Sequence, residues 1–185
     1  MNGIYQYKKD DYQYVLHQSA EGQILYDVNS AEVKKNQLRS QSIEELQYAL
    51  AEIMDDDRIT VTGNQVIAYA SPEGGQDLNA KLSDKRASSA KQAWNSISKG
   101  MESGDVQIQS IGQDWEGFQE AVSNSNIEDK ELILRVLSMY SDPAVRESEI
   151  RNMSEIYSEI KGKVFPALRR ARFVTNYDFQ NWSDE

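Results

Sequence analysis

Hydrophobic positions along this chain alternate between two periods, one suited to strands and one to helices. Tyr5, Tyr7, Tyr12 and Tyr14 form an alternating start, compatible with a strand or a short helix. Ile24-Leu25-Tyr26-Asp27-Val28-Asn29, bounded by Gly22 and by Asn29-Ser30, predicts a strand. Ser42 and Glu45 then have capping-box spacing and open a helix through about Met54, with Ile43, Leu46, Leu50, Ile53 and Met54 as its apolar stripe. Asp55-Asp56-Asp57 ends it as a solvated turn, since acids are unfavourable at a helix C-terminus. Ile59 to Tyr69 is β-branched and apolar, with a possible kink at Gly63-Asn64.

Ser71-Pro72-Glu73-Gly74-Gly75 reads as a loop. The helix after it runs from about Asp77 to Ile97, with Leu78, Leu82, Ala90, Ala93, Trp94 and Ile97 facing inward. Gly100 and Gly104 punctuate its exit, and Val106-Gln107-Ile108-Gln109 alternates as a third strand. A helical stretch follows: Trp115, Phe118 and Val122 on one face, Glu131 to Tyr140, a helix opened by Asp142-Pro143, and Ser154 to about Arg170, bent or ended by Pro166. Phe173, Thr175, Tyr177 and Phe179 alternate along a last strand. Strands alternating with helices predict an α/β sandwich, with helices packed on a sheet.

Composition narrows the chemistry. The 185 residues hold 30 acidic and 20 basic side chains, a formal charge of −10, which disfavours general nucleic-acid binding. The chain has no cysteine, so disulfides, thiolate nucleophiles and Cys-ligated metals are excluded. No run of about 18 apolar residues occurs, so no membrane-spanning segment is expected. Met1-Asn2-Gly3-Ile4-Tyr5 is neither a signal peptide nor a lipoprotein leader. The expectation is a fragment of a longer exported protein, the other possibility being a cytoplasmic chain.

Three ordered blocks carry a resemblance. Ile24 to Val33 looks like an opening strand followed by a polar run. Ala68-Tyr69-Ala70-Ser71-Pro72-Glu73-Gly74 stands where a Gly-His-Thr-Asp-x-x-Gly loop belongs. Asn79-Ala80-Lys81-Leu82-Ser83-Asp84-Lys85-Arg86-Ala87 matches N-x-x-L-S-x-x-R-A without a gap. Together they cover less than half the chain, and they resemble the C-terminal domain of OmpA, the peptidoglycan-associated lipoproteins and the flagellar-motor stator proteins. Asp114-Trp115-Glu116-Gly117-Phe118, Glu131 to Leu137, and Phe165-Pro166-Ala167-Leu168-Arg169-Arg170 are similar to a subgroup with a helical insertion, several of whose members carry tetratricopeptide repeats.

The resemblance implies an OmpA-C-like βαβαβ sandwich with a mixed sheet, helices on one face and a helical segment inserted before the last strand. In this scheme residues 1–185 form a single domain, with core 20–111, insertion 112–170 and final strand 171–182. It further implies a non-catalytic module of the cell envelope, periplasmic and outer-membrane-associated in the full-length protein, without cofactor or metal. The implied partners are the peptidoglycan stem peptide and, through the insertion, other envelope proteins.

In the family the arginine matching Arg86 holds the carboxylate of diaminopimelate, and a loop aspartate holds its ammonium. The implied site residues are Ser71, Glu73, Asn79, Leu82 and Arg86. Seven residues at about 100° each bring Asn79 and Arg86 onto one helix face, with Leu82 between them. Arg86 supplies a planar donor fork suited to a carboxylate. The family's aspartate position is Ser71, which is neutral and cannot balance an ammonium. Glu73 could substitute; otherwise the chain is a structural or protein-interaction domain that has lost peptidoglycan binding. As plain structure, Arg86 is a surface charge paired with a nearby acid, and Asn79 braces the preceding loop.

Other constellations are weaker. His17, the only histidine, lies outside these blocks and has no nucleophile motif nearby, so an enzyme is not expected. Gly74-Gly75 lacks the spacing of a phosphate-binding loop. Trp115, Phe118 and Tyr140 are read as core, and the basic residues Lys161, Lys163, Arg169, Arg170 and Arg172 as a solvated helix face.

Overall fold

The computed structural model describes residues 13–99, 101 and 105–182. In chain order these form β1 (Gln13–Leu25), α1 (Lys35–Leu38), α2 (Gln41–Asp55), β2 (Ile59–Ala70), α3 (Gln76–Ile97) and β3 (Val106–Gln113). Then come α4 (Trp115–Ser123), α5 (Lys130–Met139), α6 (Pro143–Arg151), α7 (Ser154–Lys163), α8 (Phe165–Leu168) and β4 (Arg170–Trp182). One mixed sheet has the order β1-β4-β2-β3. β4 runs antiparallel to both β1 and β2, while β2 and β3 are parallel across the α3 crossover. The last strand to emerge therefore occupies the middle of the sheet. The expected α/β class and mixed sheet hold.

Among the described residues two large apolar clusters form, with a small third of Ile67, Tyr69 and Val174. Ile43, Leu46, Leu50 and Ile53 of α2 and Ala87, Ala90, Ala93, Trp94 and Ile97 of α3 bury against Ala20, Ile24, Val66, Ala68, Ala171 and Phe173 on one face of the sheet. Trp94 stacks on Phe173 with centroids 6.0 Å apart. Small residues let the layers meet: a Cβ on Gly22 would lie 2.9 Å from that of Leu46. In the second cluster, Phe118, Val122, Ile133, Val136, Leu137, Ile150, Ile160, Phe165 and Leu168 join α4 to α8. The Asp114–Phe118 motif has a local cause. Asp114 caps α4 by accepting from the Gly117 N–H at 2.9 Å, and a Cβ on residue 117 would collide with that carboxylate.

Several expectations change. The strand predicted at Ile24–Asn29 ends at Leu25, because Asn29 takes a left-handed conformation (φ 55°) and the segment turns away from the sheet. β1 instead extends backward through Tyr14, paired with β4 along its length. Ser40, not Ser42, caps α2, its Oγ accepting from the Ile43 N–H at 3.3 Å; Ser42 accepts from the Gln23 N–H of β1. Leu78 is not inward but 55% exposed, and Met54 is exposed too. β3 continues to Gln113, and the helix predicted from Ser154 to Arg170 is two helices, with Pro166 in the first turn of the second. The Gly63 kink is a register shift between Val61 and Gly63. Asp56 accepts from the Arg58 backbone and guanidinium, so the triple-aspartate turn closes on itself. Tyr5, Tyr7, Tyr12, Gly100 and Gly104 lie outside the described residues.

Candidate functional site

α3 carries the N-x-x-L-S-x-x-R-A stretch along the face it turns toward β2 and the 71–75 loop. Asn79, Ser83, Arg86 and Ala87 are all buried, and Leu82 is half-buried. The four buried residues each have an internal occupation. Asn79 Nδ2 donates to the Gly74 carbonyl at 2.9 Å, bracing the loop. Ser83 Oγ donates to the Ala68 carbonyl at 3.1 Å and accepts from the Gly112 N–H at 3.0 Å, tying α3 to β2 and β3. Ala87 packs into the core.

Arg86 is not a surface charge: its exposure is 0%. Nε donates to the Ser30 carbonyl at 2.8 Å, one terminal nitrogen to Tyr69 at 3.1 Å and the other to Asp27 at 3.1 Å. The guanidinium lies 5.0 Å from the centre of the Tyr26 ring. All three nitrogens thus serve backbone carbonyls, two in the segment after β1 and one in β2. Burial pushes the Arg86 pKa down to about 10, with Tyr26 and Glu73 opposing, so it stays protonated at neutral pH.

The acid at the loop is Glu73. Ser71, buried beside it, donates its hydroxyl to the Glu73 carboxylate. Arg169 grips the same carboxylate from the other side, Nε to Oε2 at 2.8 Å and a terminal nitrogen to Oε1 at 2.7 Å. Burial pushes the Glu73 carboxyl up, but the hydrogen bonds from Arg169 and Ser71 and the charge of Arg169 hold it below its ordinary 4.5. The helical stretch adds further ties. Arg151 donates to the Glu73 carbonyl at 3.0 Å, and Gln113 bridges the Gly74 carbonyl and the Glu147 carboxylate.

The structure therefore brings Ser71, Glu73 and Asn79 together at one loop, with Arg86 directly beneath. It adds Arg169, Arg151 and Gln113, which sequence reasoning did not assign to the site. Arg169 was visible only as part of a basic run read as a helix face. That reading is corrected: Arg169 precedes β4, Arg170 and Arg172 lie in it, and the three pair with Glu73, Asp114 and Glu21. His17 is exposed, with Nδ1 2.6 Å from the Asp178 carboxylate.

No family model matches the chain, and neither does any curated protein. Among solved structures it is similar to the peptidoglycan-associated lipoprotein from Burkholderia pseudomallei, at 14% identity over 83% of this chain and 89% of that one, with a TM-score of 0.40. It is also similar to the OmpA-like domain of FopA1 from Francisella tularensis subsp. tularensis SCHU S4, at 13% identity over 90% and 81% of the two chains, with a TM-score of 0.43.

The Glu73–Arg169 pair makes stability pH-dependent with a definite sign. A carboxyl lowered by folding stabilises the native state above its unfolded pKa, and that contribution is lost as pH falls through the lowered folded value. Thermal unfolding of the wild type should therefore lose stability from about pH 4.5 downward more steeply than Glu73→Gln does. Equal acid sensitivity of the two proteins would show that Arg169 does not hold the carboxylate in solution.

Proposed function

We propose that this chain is a non-catalytic binding module of the bacterial cell envelope, built on the OmpA-like plan, whose stem-peptide cleft is held by the chain's own Arg169. The three ordered sequence blocks support the envelope assignment. The observation that carries the rest is the bidentate Arg169–Glu73 pair. A ligand ammonium would need an acid here, and the acid at the loop already has a cation on it. Arg86, the counterpart for a ligand carboxylate, has every nitrogen committed to a carbonyl. On this reading the module works as a protein-interaction domain. Residues 20–111 and the final strand 171–182 supply the scaffold, and the helices of 112–170 supply the docking surface, on the periplasmic side of the outer membrane.

A second reading, peptidoglycan anchoring, is favoured by one observation. The Glu73 and Arg169 side chains retain 21% and 16% exposure, so a diaminopimelate ammonium can compete for the carboxylate. Sedimentation with insoluble peptidoglycan sacculi separates the two. We expect the wild type to stay in the supernatant. Co-sedimentation of the wild type, competed by free diaminopimelate and lost in Glu73→Gln, would make the stem peptide the ligand. Arg169→Ala tells a latched cleft from a lost one, because freeing the acid restores sedimentation only if the latch is the obstacle.

A further inference from the structure

The sheet ends on two edges that are finished differently. On β1, the Gln23 N–H donates to Ser42 Oγ at 2.9 Å and the Leu25 N–H to Gln37 Oε1 at 3.0 Å, so side chains of α2 and α1 close one end of that edge. The same strand carries His17 and Glu21. Charged residues and covering groups of this kind keep edge strands from pairing with other chains.

On β3, among the described residues, no side chain takes a backbone N–H between Gln107 and Ile111. Among the described residues it pairs with β2 on one side only. Its sequence, Val-Gln-Ile-Gln-Ser-Ile-Gly-Gln, contains neither a charge nor a proline. Residues 107–111 are all exposed, and Ile108 and Ile111 are each 42% accessible. One face still meets α3, where Ser110 Oγ donates to Ser83 Oγ at 2.8 Å. Here the unpaired backbone edge and two β-branched side chains are presented together.

We propose that β3 pairs antiparallel with β3 of a second copy of this chain, joining two four-stranded sheets into one across a two-fold axis. Charge identifies the occupant. An isologous pairing sets a strand against itself, so any charge near the axis meets its own like. Copies of a chain of net charge −10 repel one another least across a strip free of charge, and β3 is such a strip. Across the axis, glutamine amides hydrogen-bond to one another and isoleucines share apolar contact. One strand buries less than the roughly 800 Å² per partner of a standard interface, so the dimer dissociates on dilution. Added salt strengthens it by screening the repulsion between the acidic bodies.

Sedimentation velocity over a dilution series tests this, with Gln109 as the probe because it sits near the middle of β3. The wild type should show a monomer–dimer equilibrium that shifts toward dimer with concentration and salt. Gln109→Lys and Gln109→Glu should each lose the dimer, since like charges then face across the axis. An equimolar mixture of the two should regain it, because opposite charges now meet. Circular dichroism and thermal unfolding of each variant establish that the fold is kept, and the mixture reports pairing even if one variant is less stable. A wild type that is monomeric throughout, a dimer that survives both substitutions, or a mixture that stays monomeric overturns the proposal.

Discussion

Arg86→Ala lowers the unfolding free energy by about 3–5 kcal/mol, which makes Arg86 a structural keystone before it is anything else. The side chain is fully buried, and its loss takes a donor from the carbonyls of Ser30, Tyr69 and Asp27, the last of which keeps the Ser30 N–H. Each buried acceptor left unpaired costs about 1–3 kcal/mol, and the space vacated adds to that. Arg86→Lys recovers only part of the loss, since one compact ammonium cannot span three carbonyls in the plane of a guanidinium. Urea denaturation followed by circular dichroism measures both. A loss below about 1 kcal/mol for the alanine variant would mean that water reaches these carbonyls and the site is open. The result also governs how ligand binding is tested. A destabilised Arg86 variant that fails to bind says nothing about recognition, so Glu73→Gln and Arg169→Ala are the informative substitutions.

Phe118→Ala costs about 3–5 kcal/mol, and the damage stays within the helical stretch. Phe118 is buried, with its ring 5.3 Å from Trp115 and 6.2 Å from Phe165, so it joins α4 to α8 across the second cluster. None of the residues of that cluster belongs to the one beneath α2 and α3. Hydrogen exchange should then show faster opening of amides in α4 to α8, while β2, β4 and α3 keep their protection. Uniform loss of protection would show that the two clusters open as one cooperative unit. Polar ties that couple them include Arg169 to Glu73, Arg151 to the Glu73 carbonyl, Gln113 to Gly74, and Arg170 to Asp114.

The helices were legible because their signals are local. The period of Ile43, Leu46, Leu50 and Ile53 reports α2 directly, and Asp142-Pro143 marks the start of α6. Where a tertiary contact claimed the residue, the local pattern misled. Spacing points to Ser42 as the cap of α2, yet Ser40 caps it, because β1 passes close enough for Ser42 to take the Gln23 N–H. The first strand was misplaced for a similar reason. Ile24 to Val28 is apolar enough to be extended, yet its partner β4 begins at Arg170, opposite Leu25, so pairing runs the other way along the chain.

The candidate site divides along the same line. By itself the sequence determined that Asn79 and Arg86 share a helix face beside the 71–75 loop, because seven residues of helix return nearly to the starting direction. It also determined that Ser71 is neutral where the resembling family has an acid. Only the tertiary structure decided what these groups touch. Arg86 and the Asp27 and Ser30 carbonyls lie more than fifty residues apart, and Glu73 and Arg169 are separated by 96. No local pattern records such partners. Glu73 and Arg169 meet because β4 returns to the centre of the sheet, and that return places Arg169 on the acid of the loop.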